Sequence, residues 1–176
     1  LGLFADSIWA ESGHAEGGYP AETYLPESYI DGNADTLGWL RDGLFNFAVI
    51  NDGESTEGTP AFADIAEWWV SALNESGVDI YISHAAHKVG SNASGWESPD
   101  QLTKQAMALS EINVNGSFFN SISSLAKDTS GSTNALVGYL KGTINTEYIM
   151  NELVITSPKK TSITTYENKI NIIGSS

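Results

Sequence analysis

Three carboxylates stand inside or just after strand-like apolar runs: Asp6 within Gly2–Trp9, and Asp52 and Glu54 directly after Phe45–Ile50. Carboxyl groups in such places could cleave a glycosidic bond. That reaction takes two of them, about 5–5.5 Å apart for retention and about 6.5–9.5 Å apart for inversion. Asp6 lies three residues before Trp9 in an apolar run. A carboxylate there must face inward and be hydrogen-bonded, because burying it unpaired is strongly unfavourable. It reads either as the catalytic carboxylate or as a structural group. Asp52 and Glu54 belong to Asn51-Asp52-Gly53-Glu54. Asn-Asp-Gly is turn chemistry in its own right, so these two read first as turn residues. Glu11 reads as a solvated loop residue.

Other side chains at the ends of apolar runs could bind rather than react. His84 follows Val78–Ser83. It is either a satisfied core histidine or a substrate contact at a strand end. Trp9, Trp96 and Tyr19 could offer flat faces to the C–H faces of pyranose rings. Asn120 and Ser121 close the fourth run; they either donate hydrogen bonds to a ligand or only cap the next loop. His84 and His87 are three apart and His14 lies in a distant loop, so no metal site is expected. The absence of cysteine removes disulfides, thiolate chemistry and cysteine-based zinc sites. No G-x-S-x-G elbow supports a serine esterase. No G-x-G-x-x-G run or P-loop supports nucleotide binding, and no cofactor is expected.

Positioning these groups requires a scaffold. Four apolar runs recur at Gly2–Trp9, Phe45–Ile50, Val78–Ser83 and Gly116–Asn120, each separated by room for a loop and a crossover helix. Pro60 opens a helical pattern in which Phe62, Ile65, Ala66, Trp69, Val70 and Leu73 share a face. Ser98-Pro99-Asp100 predicts an N-cap followed by proline at the first helical position, with Leu102, Ala106 and Leu109 on one face. Asp31–Leu44 holds another helix, with Leu37, Leu40 and Leu44 inward and Gly43 as its stop. Ser132–Lys141 is a shorter fourth. Apolar strands alternating with helices predict a parallel sheet covered by helices, with ligands at the carboxyl ends of the strands. The longest loop, Ala10–Ile30, lies at that end. Four such units make half of a (β/α)8 barrel, or a small open sheet of their own.

After Ile144 the pattern changes. Glu152–Ser157 and Thr161–Ile173 alternate Thr and Ile around a turn at Ser157–Lys160. This predicts the first strands of a truncated, Ig- or fibronectin-like β-sandwich, too few to close. The expected division is residues 1–147 for the half-barrel and 148–176 for a linker and the β-domain start.

Eight Lys and Arg stand against 22 Asp and Glu among 176 residues, a net charge of −14. That balance argues against nucleic acid and anionic membrane surfaces as partners. No apolar run reaches the roughly 18–20 residues of a membrane span. The chain opens on Leu1 without an initiator Met, so it is expected to be a piece of a longer protein. The lack of a visible signal peptide then says little about export.

Three stretches, the last two in order and at suitable spacing, resemble the bacterial glycosyl-hydrolase-like family 10, which includes cell-division-associated peptidoglycan glycosidases. They are Glu67-Trp68-Trp69 with Asp79–Gly90, then Trp96–Leu102 (WESPDQL), then Val114–Leu125 (VNGSFFNSISSL). The resemblance covers residues 1–145. It implies the fifth to eighth strands of a (β/α)8 barrel, with the first four units and one catalytic carboxylate upstream of Leu1. It implies that this piece holds substrate-binding residues and one catalytic carboxylate, and it adds to the reading of Asn51 and His84. Strand-end position and residue type make Asp6 the catalytic candidate and Trp9, Trp96 and Asn120 further substrate contacts. Asn51 is included because it stands where the family often carries Gln. The chain departs from the pattern at Asn51–Glu54, where Gln and an aromatic are usual, and at His87-Lys88, where Tyr-Lys is usual.

The reading that follows is a glycoside hydrolase acting on a bacterial cell-wall or related polysaccharide, outside the cell or in its envelope. The competing readings are a non-catalytic carbohydrate-binding or adhesion module, and a purely structural role for the strand-end residues. The chain by itself is expected to be inactive and to expose apolar sheet edges. All of this requires the four runs to lie parallel, with Asp6, Asn51 and His84 on one rim.

Overall fold

The four apolar runs do lie side by side and point the same way. A computed structural model describes residues 1–11, 14, 17–20, 23, 25–143, 159–164 and 171–175. Strands β1 (Gly2–Asp6), β2 (Phe47–Asp52), β3 (Asp79–His84) and β4 (Gly116–Phe119) form one sheet in the order β1-β2-β3-β4. All three pairings are parallel. Between them run α1 (Thr36–Arg41), α2 (Phe62–Ala72) and α3 (Gln101–Leu109); α4 (Ile122–Lys127) and α5 (Ser132–Thr143) follow. The chain divides into two units, residues 1–136 and 137–176.

In a strand, side chains alternate between faces, and that alternation builds the core of the first unit. Ala5, Ala48, Ile50, Ile80 and Ile82 pack with Leu37 and Leu40 of α1, with Phe62, Ile65, Ala66 and Trp69 of α2, and with Leu109 of α3. The last seven are among the residues at helical spacing and are buried, whereas Val70 and Ala106, expected on the same faces, are half-buried. Each fully buried large apolar side chain contributes about 1.5–3 kcal/mol. Trp69 adds a hydrogen bond from its indole Nε1 to the Ser7 carbonyl at 2.8 Å, pinning α2 to the end of β1.

The opposite face of the sheet carries rings. Phe47 meets Tyr81 edge-on at 5.9 Å between centroids, and Tyr81 meets Phe118 at 5.7 Å. Phe4 of β1 meets Phe118 of β4 at 6.1 Å. These two strands are the outer pair. Inter-strand spacing of about 4.8 Å would hold them about 14 Å apart in a flat sheet, with their side chains upright. Their rings can touch only if the sheet curls toward this face.

The helix ends follow local chemistry with some shifts. Asp35 caps α1, its Oδ1 accepting from the Gly38 N–H at 3.0 Å. Gly43, at φ +71°, turns the chain out of the helix as expected. Leu44, expected inward, lies beyond that turn and is 58% exposed. The third helix begins at Gln101 with Asp100 as its N-cap. Ser98 is therefore not the cap; its hydroxyl donates to the Asp100 carboxylate instead.

In the second unit, β5 (Lys159–Thr164) and β6 (Asn171–Ser175) pair antiparallel, with Ile163 opposite Ile172. Among the described residues this two-stranded ribbon is all that stands where a β-sandwich start is expected. The predicted strand at Glu152–Ser157 lies outside the described residues. Among those residues, no helix is long and apolar enough to cross a membrane.

Trp69→Ala removes both the largest ring at the sheet–helix contact and its hydrogen bond. It is expected to destabilise the full-length protein by about 3–5 kcal/mol, measured by urea unfolding. A loss below about 1 kcal/mol would show that α2 is not anchored through this side chain.

Candidate functional site

A cleft of about 440 Å³ opens at the carboxyl ends of the strands, on the ring-bearing face. Strand register determines what lines it. Asp6 is the partner of Asn51, Asn51 of Ser83, and Ser83 of Phe118, so one residue from each strand stands in a single row. All four line the cleft. Asn120 and Ser121, just past β4, close one side, and Phe4 and Phe119 contribute two further rings. Asp6, Asn51 and Asn120 are exposed, whereas Ser83 is 7% exposed.

The expectation that Asp6 is buried and hydrogen-bonded is therefore corrected. It follows Ala5, whose side chain belongs to the core, and alternation turns Asp6 to the open face. Its side chain is exposed and lines the cleft.

The structure brings together Asp6, Asn51 and Asn120, and leaves out Trp9, Trp96 and His84. Trp9 is fully buried in the core, its Nε1 donating to Asp35 Oδ1 at 3.1 Å. Its ring packs edge-on against His14 and Tyr29, at 4.6 and 5.3 Å between centroids. Trp96 is 2% exposed, with the Lys88 ammonium 5.9 Å from its centroid. Neither indole offers a free face to a ligand. The exposed rings at the cleft are Phe4, at 68%, and Phe118, at 41%.

His84 reaches the same end of the sheet but on the helix side. It is fully buried, stacked on Phe119 at 4.5 Å and near Phe62 at 5.1 Å. Gln105 Nε2 donates to the Glu54 carbonyl at 2.8 Å, which leaves Gln105 Oε1 as an acceptor. That oxygen lies 2.9 Å from His84 Nδ1, so Nδ1 carries the proton. Nε2 then accepts from the Ser117 hydroxyl at 2.9 Å. The Ser117–His84–Gln105 chain has the connectivity of an acyl-transfer triad. However, burial lowers the imidazole from 6.5 to about 4, the Gln105 hydrogen bond opposing weakly. A base that weak does not take a serine proton near neutral pH. The arrangement is a structural clamp between β3, β4 and α3.

Asp52, paired in register with His84, is the second buried ionisable group on that side. It is 1% exposed. Its Oδ1 accepts from the Glu54 N–H at 2.9 Å, the turn geometry the sequence suggests. Its Oδ2 has no partner among the described residues. Burial raises the carboxyl well above its ordinary range, and the Glu54 charge adds to this; the Glu54 N–H and Lys88 act in the opposite direction. Lys88 itself donates to the Gly53 carbonyl at 2.8 Å.

Ser83, Phe4, Ala5, Phe118 and Phe119 are the lining residues that residue type alone does not select. The signal was present: counting by two along the strands, in step with Asp6 and Asn51, selects Ser83 rather than His84. What results is one carboxylate, two amides and two hydroxyls beside apolar rings. Such a surface suits a polyol ring with one apolar face. Among the described residues, no group of three His, Asp or Glu side chains could hold a metal ion.

No protein-family profile matches the chain. It is 28% identical over 140 residues to a Bacillus subtilis (strain 168) protein named glycosyl hydrolase YngK. The aligned stretch is 78% of this chain and 28% of that protein, so the chain spans less than a third of its relative. The protein is thus a distant homologue of a glycosyl hydrolase, with a parallel α/β architecture.

The two buried groups predict opposite pH effects. The unfolded chain protonates His84 near 6.5, but the folded one only near 4. Stability is thus full above 6.5 and falls by about 3 kcal/mol as pH drops to 4. In His84→Gln this acid loss is expected to shrink by that amount, read from unfolding between about pH 4 and pH 8. Asp52 binds its proton more tightly when folded, so it weakens the fold as pH rises above its unfolded value. Asp52→Asn is expected to raise Tm near pH 7 and to change little near pH 4. Identical pH profiles in wild type and variants would contradict both assignments.

Proposed function

We propose that this cleft is a sugar-binding subsite of a glycoside hydrolase acting on a bacterial cell-wall or related polysaccharide. One observation carries the reading: Asp6, Asn51 and Ser83 stand in a single register row, opening into a cleft beside two exposed phenylalanine rings. Asp6 is the catalytic carboxylate in this reading. Asn51, Ser83 and Asn120 hold sugar hydroxyls, and the Phe4 and Phe118 rings meet the C–H face of the pyranose. Trp9 and Trp96 support the site from within the core.

Asp6 is the lone carboxylate among the described lining residues, and hydrolysis takes a pair. We place the second carboxylate elsewhere in the full-length protein, on a part of the rim that this sheet does not supply. The four units are then the C-terminal half of a (β/α)8 barrel, residues 1–147. The curl of the sheet and the edge-on contact of Phe4 with Phe118 support that closure. Residues 148–176 lead into a separate β-domain, and the protein works outside the cell or in its envelope. The same single carboxylate favours a second reading, a module that binds glycan without cleaving it.

The test is release of reducing ends from purified cell-wall glycan by the full-length protein. Asp6→Asn is expected to lower the rate about 100- to 10,000-fold. His84→Gln, assayed near pH 7, is expected to leave it within about threefold, since that ring faces away from the cleft. An active Asp6→Asn enzyme would remove Asp6 from the chemistry. Tight binding with no turnover in the wild type would establish the second reading instead.

A further inference from the structure

We propose that the cleft selects uncharged sugar rings and excludes rings bearing a carboxylate, sulfate or phosphate. This rests on the glycan reading above and specifies the chemistry of its ligand. The ionisable side chain in the lining is Asp6, and it is exposed to whatever enters. The other polar groups there, on Asn51, Ser83, Asn120 and Ser121, are neutral. They hydrogen-bond hydroxyls and acetamido groups equally well, but offer no counter-charge to an anion. An acidic ring would give up its hydration, gain no ion pair and face Asp6 at close range.

The cations of this unit are placed elsewhere. No Lys or Arg precedes Arg41 in the sequence, so the long loop after β1 can bring none; it holds Glu11, Glu16, Glu22 and Glu27. Arg41 Nε donates to the Ala72 carbonyl at 3.1 Å. Lys88 is held by the Gly53 carbonyl and lies over Trp96. Lys104 pairs with Glu57 at 3.1 Å and Asp100 at 3.5 Å. Lys127 sits in the last turn of α4, outside the lining. His87 stands beside the rim, its Nδ1 3.3 Å from the Asn120 carbonyl oxygen, and is also outside the lining. Charge at this site therefore works by repulsion, a specificity built against the wrong ligand.

The experiment compares two matched probes on the full-length protein at about pH 8: a hexamer of N-acetylglucosamine and the same hexamer sulfated at O6. The neutral hexamer is expected to bind at least about tenfold more tightly, with the gap narrowing as salt is raised. Asp6→Asn is expected to narrow the gap and Asp6→Lys to close or invert it, with both variants first checked for wild-type melting. A gap that survives unchanged in Asp6→Lys would show steric exclusion and overturn the inference. Equal or tighter binding of the sulfated hexamer to the wild type would also overturn it, while leaving the glycan reading intact. If neither hexamer binds, this inference and that reading fall together.

Discussion

The two-residue repeat of a parallel strand decides nearly everything about this molecule. On β1, β2 and β3 one parity supplies Ala5, Ile50 and Ile82 to the helix layer, and the other supplies Asp6, Asn51 and Ser83 to the cleft. A shift of one residue in any of these strands would put Asp6, Asn51 or Ser83 among the helices and Ala5, Ile50 or Ile82 in the cleft. Core and candidate site are therefore specified by the same pattern. The hydrophobic contacts of α1, α2 and α3 fix which parity faces inward, and the polar row opposite follows from that choice.

The helix side is not uniformly apolar at its carboxyl end. Asp52 and His84 are register neighbours there, and burial drives each toward its neutral form. His84 is fully provided for, with Gln105 taking the Nδ1 proton and Ser117 serving Nε2. Asp52 has a partner for one oxygen only among the described residues. The two groups oppose each other with pH, one weakening the fold in acid and the other in base. Gln105 links this layer to the loop after β2, since the same side chain that orients His84 also holds the Glu54 carbonyl. Alignment of the strand ends thus depends on a neutral hydrogen-bond chain as well as on apolar packing.

Much of the scaffold was legible in the sequence because period and type agreed. The apolar runs became parallel strands, and the spacing of Phe62, Ile65, Ala66, Trp69 and Leu73 marked the buried face of α2. The candidate site was less legible for reasons of geometry. Trp9 and Trp96 are large enough to serve either a core or a binding surface, and their type cannot say which; packing against Asp35, His14 and Lys88 decided. The place of His84 at a strand end does not say which face it takes, and it takes the helix side. The apolar run around Asp6 suggests burial, but its position in the alternation exposes it. Phe4 and Phe118 look like core residues in sequence. Only their position on the side away from the helices makes them part of the cleft.

The contact between those two rings also bears on how the site is completed. Outer strands whose side chains touch across two inner ones describe a sheet curved tightly toward the cleft. A sheet so curved places the ends of its strands on an arc, and an arc collects polar groups from each strand around a common centre. Asp6 stands at one end of this arc and Asn120 at the other. A single carboxylate on an arc can orient and polarise a sugar, but acid–base cleavage needs a second one across the ring from it. In the glycan-cleaving reading proposed above, that second group stands on the open side of the arc, facing Asp6.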